Sequence, residues 1–242
     1  MSFAPETRGI LRLPFAEYGH SVLGTPLRYI PCSGPCRVLV VAGIHGEEPE
    51  TTFLLSRVLR AFENPFESVA FVLCANPDGM TLGTRGNANG VDLNRNFPTA
   101  NWSKEPVGSR SILEAPRDTF LSAGNAPGSE PETAALVALI QKLSPESIIS
   151  MHAPMACVDA PACTDLVKSL CESFNLPWHA DIGYPTPGSL GTWCKEQKSP
   201  ECITLELPRM SLEALFDRYS ESFVTFLLSL LRKSSYAESS LR

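Results

Sequence analysis

The chain has 242 residues, 43% of them hydrophobic and 19% charged, with 21 Pro, 16 Gly and a formal net charge of −6. This composition excludes coiled coil, collagen and disorder, and a chain of this length can bury about 70% of its unfolded surface, so its core needs neither disulfide nor metal. An acidic balance argues against a nucleic-acid partner, because phosphate binding needs a basic face, and no apolar run is long enough to span a bilayer, so no membrane partner is expected.

The first twenty residues carry Arg8 and Arg12 but no continuous apolar stretch, so no secretory signal is expected. Strands are expected at 27–30 and 37–44, each short, β-branched or apolar, and bounded by turn residues. A helix follows over about 49–61, with Pro49 at its first position and Phe53, Leu54, Val58 and Leu59 on one face. A third strand is expected at 69–75. The segment 76–128 is rich in Asn, Gly and Pro with little periodicity, and such long loops are usually functional. A helix over about 130–143 carries a capping box, with Ser129 as cap and Glu132 three residues later. Then come a strand at 147–151, a helix over about 164–174, a strand at 202–207 and a long amphipathic helix over about 212–232. Alternation of strands and helices implies an α/β fold: a mixed, mostly parallel central sheet with helices on both faces, in a single domain spanning 1–242. The apolar stripe of the last helix is explained by core packing alone; a homodimer is compatible with it, and no residue demands one.

In open sheets of this kind ligands gather beyond the C-terminal ends of the strands. His45 follows the second strand, His152 the one ending at Met151, and Glu206 lies at the end of 202–207. A catalytic zinc needs three protein ligands and an open position for water. His45 and Glu48 form a short pair at a strand-to-helix turn, and His152 is the best third ligand because a sheet strand holds it. His20 and His179 are read as ordinary loop or surface histidines. Glu206 is a carboxylate inside an otherwise apolar strand, which is costly unless paired or functional, and it suits a base that takes a proton from an activated water. The polar stretch 85–98 holds Arg85 and Arg95, whose donor forks suit a carboxylate or a developing oxyanion, and Asn94 beside Arg95 can clamp a substrate carboxylate. The eight cysteines (Cys32, Cys36, Cys74, Cys157, Cys163, Cys171, Cys194 and Cys202) are scattered with no CxxC pair. Reduced thiols and a cytoplasmic location are expected, and a closed, thiolate-rich structural zinc site is not. Cys157 and Cys163 are read as small apolar residues.

In chain order, Tyr18-Gly19-His20-Ser21, His45-Gly46-Glu47-Glu48, Asn76-Pro77-Asp78-Gly79, Gly90-Val91-Asp92-Leu93-Asn94-Arg95-Asn96-Phe97, Ser129-Glu130-Pro131-Glu132, His152 and Thr204-Leu205-Glu206-Leu207 resemble the zinc carboxypeptidase family. The resemblance spans most of the chain. It implies one zinc ion held by His45, Glu48 and His152, with Glu206 as general base and acid. It further implies that Arg85 polarises the scissile carbonyl, that Asn94 and Arg95 hold the terminal carboxylate, and that Tyr184 is a mobile tyrosine covering the site. Within the family the chain is similar to the bacterial murein peptide amidases. That likeness implies hydrolysis of the γ-D-glutamyl–meso-diaminopimelate bond in murein peptides recycled in the cytoplasm, with L-Ala-γ-D-Glu-meso-diaminopimelate as substrate. The alternatives are a zinc deacylase of N-acyl amino acids and a binding module without catalysis. The distal end of diaminopimelate is zwitterionic, and 188–193 together with the loop after His152, including Asp159, is where its pocket is expected.

Overall fold

Six strands of the computed structural model, which describes residues 9–110 and 118–237, form one central sheet. Residues 1–8 of the N-terminal stretch, with Arg8, and 111–117 of the segment 76–128 lie outside the described residues. The chain begins with β1 (Ala16–His20) and β2 (Pro26–Tyr29), then β3 (Val38–Val41), α1 (Pro49–Leu59), β4 (Val69–Val72) and α2 (Pro77–Leu82). It continues through a 3₁₀ turn (Leu93–Arg95), β5 (Val107–Arg110), β6 (Asp118–Leu121), α3 (Pro131–Leu143), β7 (Ser147–His152) and β8 (Met155–Asp159). Last come α4 (Asp165–Phe174), β9 (Trp178–His179), α5 (Leu190–Gln197), β10 (Glu201–Pro208) and α6 (Leu212–Ala237).

The central sheet runs β4-β3-β7-β10-β8-β9, parallel throughout except where β8 meets β10. β-Pleating sends alternate residues to opposite faces, and both faces are covered. Val38, Val40, Phe71, Ile149 and Leu205 pack with α1, α4 and α6, while Leu39, Val41, Val72 and Ile148 pack with α3 and α5. That is why β3 and β4 are apolar at every position. Among the described residues no helix is long and apolar enough to cross a membrane.

Several expectations are corrected. The strand at 27–30 joins β1 in a separate antiparallel pair, touching the main sheet through the Ile30–Phe71 bridge. The strands expected to reach Ile44 and Ala75 stop at Val41 and Val72; past the end of β3, Gly43 turns the backbone at φ 65° and its N–H donates to Thr51 Oγ1. On α1 the buried face is Leu54, Leu55, Val58 and Leu59; Phe53 stays partly exposed under the Arg57 guanidinium. The capping box does not form. Glu130 is the N-cap residue of α3, and the Glu132 carboxylate accepts instead from Val22 N–H and Asn87 Nδ2. Asn87 thereby ties the polar loop to α3. Within 76–128, α2, the 3₁₀ turn and the β5–β6 hairpin were not foreseen, nor were β1, β8, β9 and α5 elsewhere. Cys157 is buried as expected, whereas Cys163 is only partly so; all eight thiols are free.

One glycine fixes the relation of α5 to the polar loop. Gly188 adopts φ 71°, its carbonyl accepts from Phe97 N–H, and a Cβ there would lie 2.2 Å from Arg95 O. Gly188→Ala is therefore expected to destabilise the fold by about 3 kcal/mol, read as a lower urea midpoint with unchanged slope. An unaltered midpoint would mean that this backbone contact does not constrain the chain.

Candidate metal centre and active site

Because β3 and β7 run parallel, their C-terminal ends open on the same edge of the sheet. His152 ends β7, and the turn after β3 carries His45 across to Glu48, the N-cap residue of α1. The Glu48 carboxylate makes no cap bond and turns toward the imidazoles. His45 Nδ1 lies 2.7 Å from Glu48 Oε1, His152 Nδ1 lies 3.0 Å from Glu48 Oε2, and the two Nδ1 atoms are 3.2 Å apart. All three side chains are buried. Behind them, His45 Nε2 meets Asp92 Oδ1 at 3.1 Å and His152 Nε2 meets Ser150 Oγ at 3.1 Å.

These outer contacts decide what the inner atoms offer. When each ring keeps its N–H at Nε2, for Asp92 and Ser150, both Nδ1 lone pairs and a carboxylate oxygen face one another with no proton between them. Three buried acceptors within 4.8 Å of one another suit a cation. Tetrahedral zinc with bonds near 2.0–2.1 Å sets its ligand atoms about 3.3 Å apart, close to the observed triangle. Two imidazoles and one carboxylate match the donor set of a catalytic zinc site that leaves one position open.

Charges around the triangle are strongly coupled. Burial and Arg85 work against a charged His45, but the Glu48 and Asp92 carboxylates outweigh them and raise its pKa to about 9. Burial alone would raise the Glu48 carboxyl; His45 and then His152 hold it below the usual carboxylate range instead. In metal-free protein at pH 7, His45 is thus protonated, and zinc must displace that proton. The sign follows directly: apparent zinc affinity is expected to rise about tenfold per pH unit from 7 toward 9 and to level off above it. Competition titrations against a chelator at several pH values measure this, and an affinity independent of pH over that span contradicts it.

Arg85 is mostly buried beside the centre. Its Nε donates to Asp92 Oδ2 at 3.0 Å, and its Nη1 lies 3.4 Å from the carboxylates of Glu47 and Glu48. Asp92 therefore orients both a metal-facing imidazole and the neighbouring guanidinium. Sequence reasoning passed over this residue, although a ligand histidine needs a partner for its second nitrogen and Asp92 lies within the polar stretch. Asp92 also caps the 3₁₀ turn by accepting from Asn94 N–H. Asn94 Oδ1 accepts from Leu190 N–H at 2.9 Å, so the carbonyl end of its amide is committed to α5. Arg95 Nη1 donates to Asn94 O at 2.7 Å.

Glu206 pairs in register with His152 across β10 and β7, and its Oε2 accepts from Met155 N–H at 3.3 Å. Burial, and then the Glu48 charge, push its carboxyl up; His152 pulls it the other way. Tyr184 is exposed, with its hydroxyl 3.9 Å from Met155 Sδ. A cavity of about 830 Å³ joins these groups: His45, Glu48, Arg85, Asn94, Arg95, His152, Tyr184 and Glu206 all line it. His20, 3.3 Å from Glu17, and the exposed His179 lie outside the triangle.

Residues 14–161 match the family model described as zinc carboxypeptidase. The chain belongs to the zinc carboxypeptidase family. Among curated members, it is 43% identical to murein peptide amidase A of Escherichia coli (strain K12) over 219 residues, 89% of this chain and 88% of that protein. It is 42% identical to murein peptide amidase A of Vibrio campbellii over 231 residues, 94% and 93% of the two chains. The crystal structure of a murein-tripeptide amidase from Escherichia coli O157 superposes with a TM-score of 0.87 at 39% identity, covering 93% of this chain and 96% of that one. Thrombin-activatable fibrinolysis inhibitor, at 17% identity, shares the carboxypeptidase fold with a TM-score of 0.70 over 92% of this chain and 71% of its own.

Proposed function

We propose that the protein is a zinc-dependent amidase that hydrolyses the γ-D-glutamyl–meso-diaminopimelate bond of murein peptides during cell-wall recycling. One observation carries this reading: a buried His45–Glu48–His152 triangle opens on a cavity that also holds Glu206, Arg85 and Arg95, in a chain similar along most of its length to murein peptide amidases. His45, Glu48 and His152 would hold the zinc ion, which would supply a Lewis acid and lower the pKa of the attacking water toward about 7. Glu206, across the strand pair from His152, takes the proton from the attacking water and returns it to the leaving amine. Arg85, held by Asp92, donates to the carbonyl oxygen as negative charge develops there. Asn94 and Arg95 bind the α-carboxylate of the departing residue, which sets the scissile bond beside Glu206. Tyr184 closes over the bound peptide. Eight free thiols support a cytoplasmic site of action.

The test is the purified, zinc-loaded enzyme with L-Ala-γ-D-Glu-meso-diaminopimelate and, in parallel, N-acetyl-aspartate. Release of diaminopimelate with no turnover of the acyl amino acid is expected; the reverse preference would make the protein a deacylase.

A further inference from the structure

Beyond Glu206 the cavity continues along one face of β10. Pleating puts Cys202, Thr204 and Glu206 on the same side of that strand, and all three line the cavity. In the antiparallel pairing with β8, Thr204 stands opposite Asp159, which lines the cavity as well. Asp159 is thus a diagonal neighbour of Glu206, about 7–8 Å away backbone to backbone. In diaminopimelate four carbon–carbon bonds separate the α-carbon from the distal one, roughly 5 Å when extended. A side chain anchored beside Glu206 by its α-carboxylate therefore reaches Asp159.

Asp159 is half-buried and has no hydrogen-bond or ion-pair partner among the described residues. Burial pushes its carboxyl up and the Asp181 carboxylate pushes it further, while His179 pulls it down. Both carboxylates line the cavity and, among the described residues, neither has a Lys or Arg within ion-pair distance, so a ligand cation is stabilised there. Resting on the amidase reading above, we propose that Asp159 is a specificity-determining residue that accepts the distal ammonium of the diamino acid on the leaving side of the scissile bond.

The experiment compares L-Ala-γ-D-Glu-meso-diaminopimelate with the same tripeptide ending in 2-aminopimelate, which keeps the distal carboxylate and lacks the distal amine. The ratio of kcat/KM for the first over the second is measured in wild type, Asp159→Asn and Asp159→Glu. A partly desolvated charge pair predicts that Asn lowers this ratio roughly tenfold to a hundredfold, mainly through KM, and that Glu retains part of it. Calorimetric binding of free meso-diaminopimelate is expected to weaken in parallel in the Asn variant. A purely structural role would depress both substrates alike and leave the ratio unchanged, and that result overturns the assignment. If the Asn variant does not fold, the Glu variant and the wild-type ratio decide: a wild type that does not distinguish the two peptides equally overturns it. Failure of the wild type to cleave either peptide refutes the amidase reading itself, and this inference with it.

Discussion

Replacing Glu206 by Gln is expected to lower kcat by about 10³–10⁴-fold while KM changes little. Glutamine keeps the shape and can still accept from Met155 N–H, so β10 and its pairing with β7 should persist. What disappears is the site that takes a proton and gives it back. Burial already disfavours charge here, so an ionised Glu206 has a functional rather than a packing rationale. The measurement is steady-state turnover of the murein tripeptide with zinc content verified in both proteins. A loss below tenfold would mean that another group carries the proton.

The second large effect concerns His152. His152→Ala removes one corner of the triangle and leaves His45 and Glu48 facing an incomplete site. Zinc affinity is expected to fall by more than the roughly 10–100-fold that loss of an outer partner costs, and activity to fall to the level of chelated wild type. Thermal unfolding supplies an independent readout. Zinc at a hundredfold excess over its Kd stabilises a protein that binds it only when folded by about 2.7 kcal/mol, and the variant is expected to lose that zinc-dependent shift in Tm. An unchanged shift would place the binding elsewhere.

How much of this was legible in the sequence depends on the length scale of the signal. β7, buried along almost its whole length, showed itself as a mainly apolar run ending in His152, and in β10 the carboxylate of Glu206 stood out beside the buried Ile203, Leu205 and Leu207. α1 announced itself through Pro49 and its apolar spacing. In contrast, β8 carries Met155 and Asp159 on partly exposed positions and is a strand only because β10 lies beside it. α5 is eight residues long and mixes Gly, Thr and Lys, so periodicity had little to act on; its placement comes from Ser189 capping Thr192 N–H and from Asn94 gripping Leu190 N–H. The capping box at Ser129 failed for a related reason. Glu130 and Glu132 had partners 40 or more residues away in Asn87 and Asn89, and a local pattern cannot see those. Asp92 was missed likewise: its importance lies in touching His45 and Arg85 together, which only the folded loop reveals.

Growing crystals with zinc and recording anomalous scattering on both sides of the zinc edge tests the metal centre most directly. A single strong peak within about 2.0–2.2 Å of His45 Nδ1, His152 Nδ1 and a Glu48 oxygen, with a fourth direction open to the cavity, is the predicted result. A peak bound by other side chains, or a triangle that stays without zinc at saturating concentration, would contradict it.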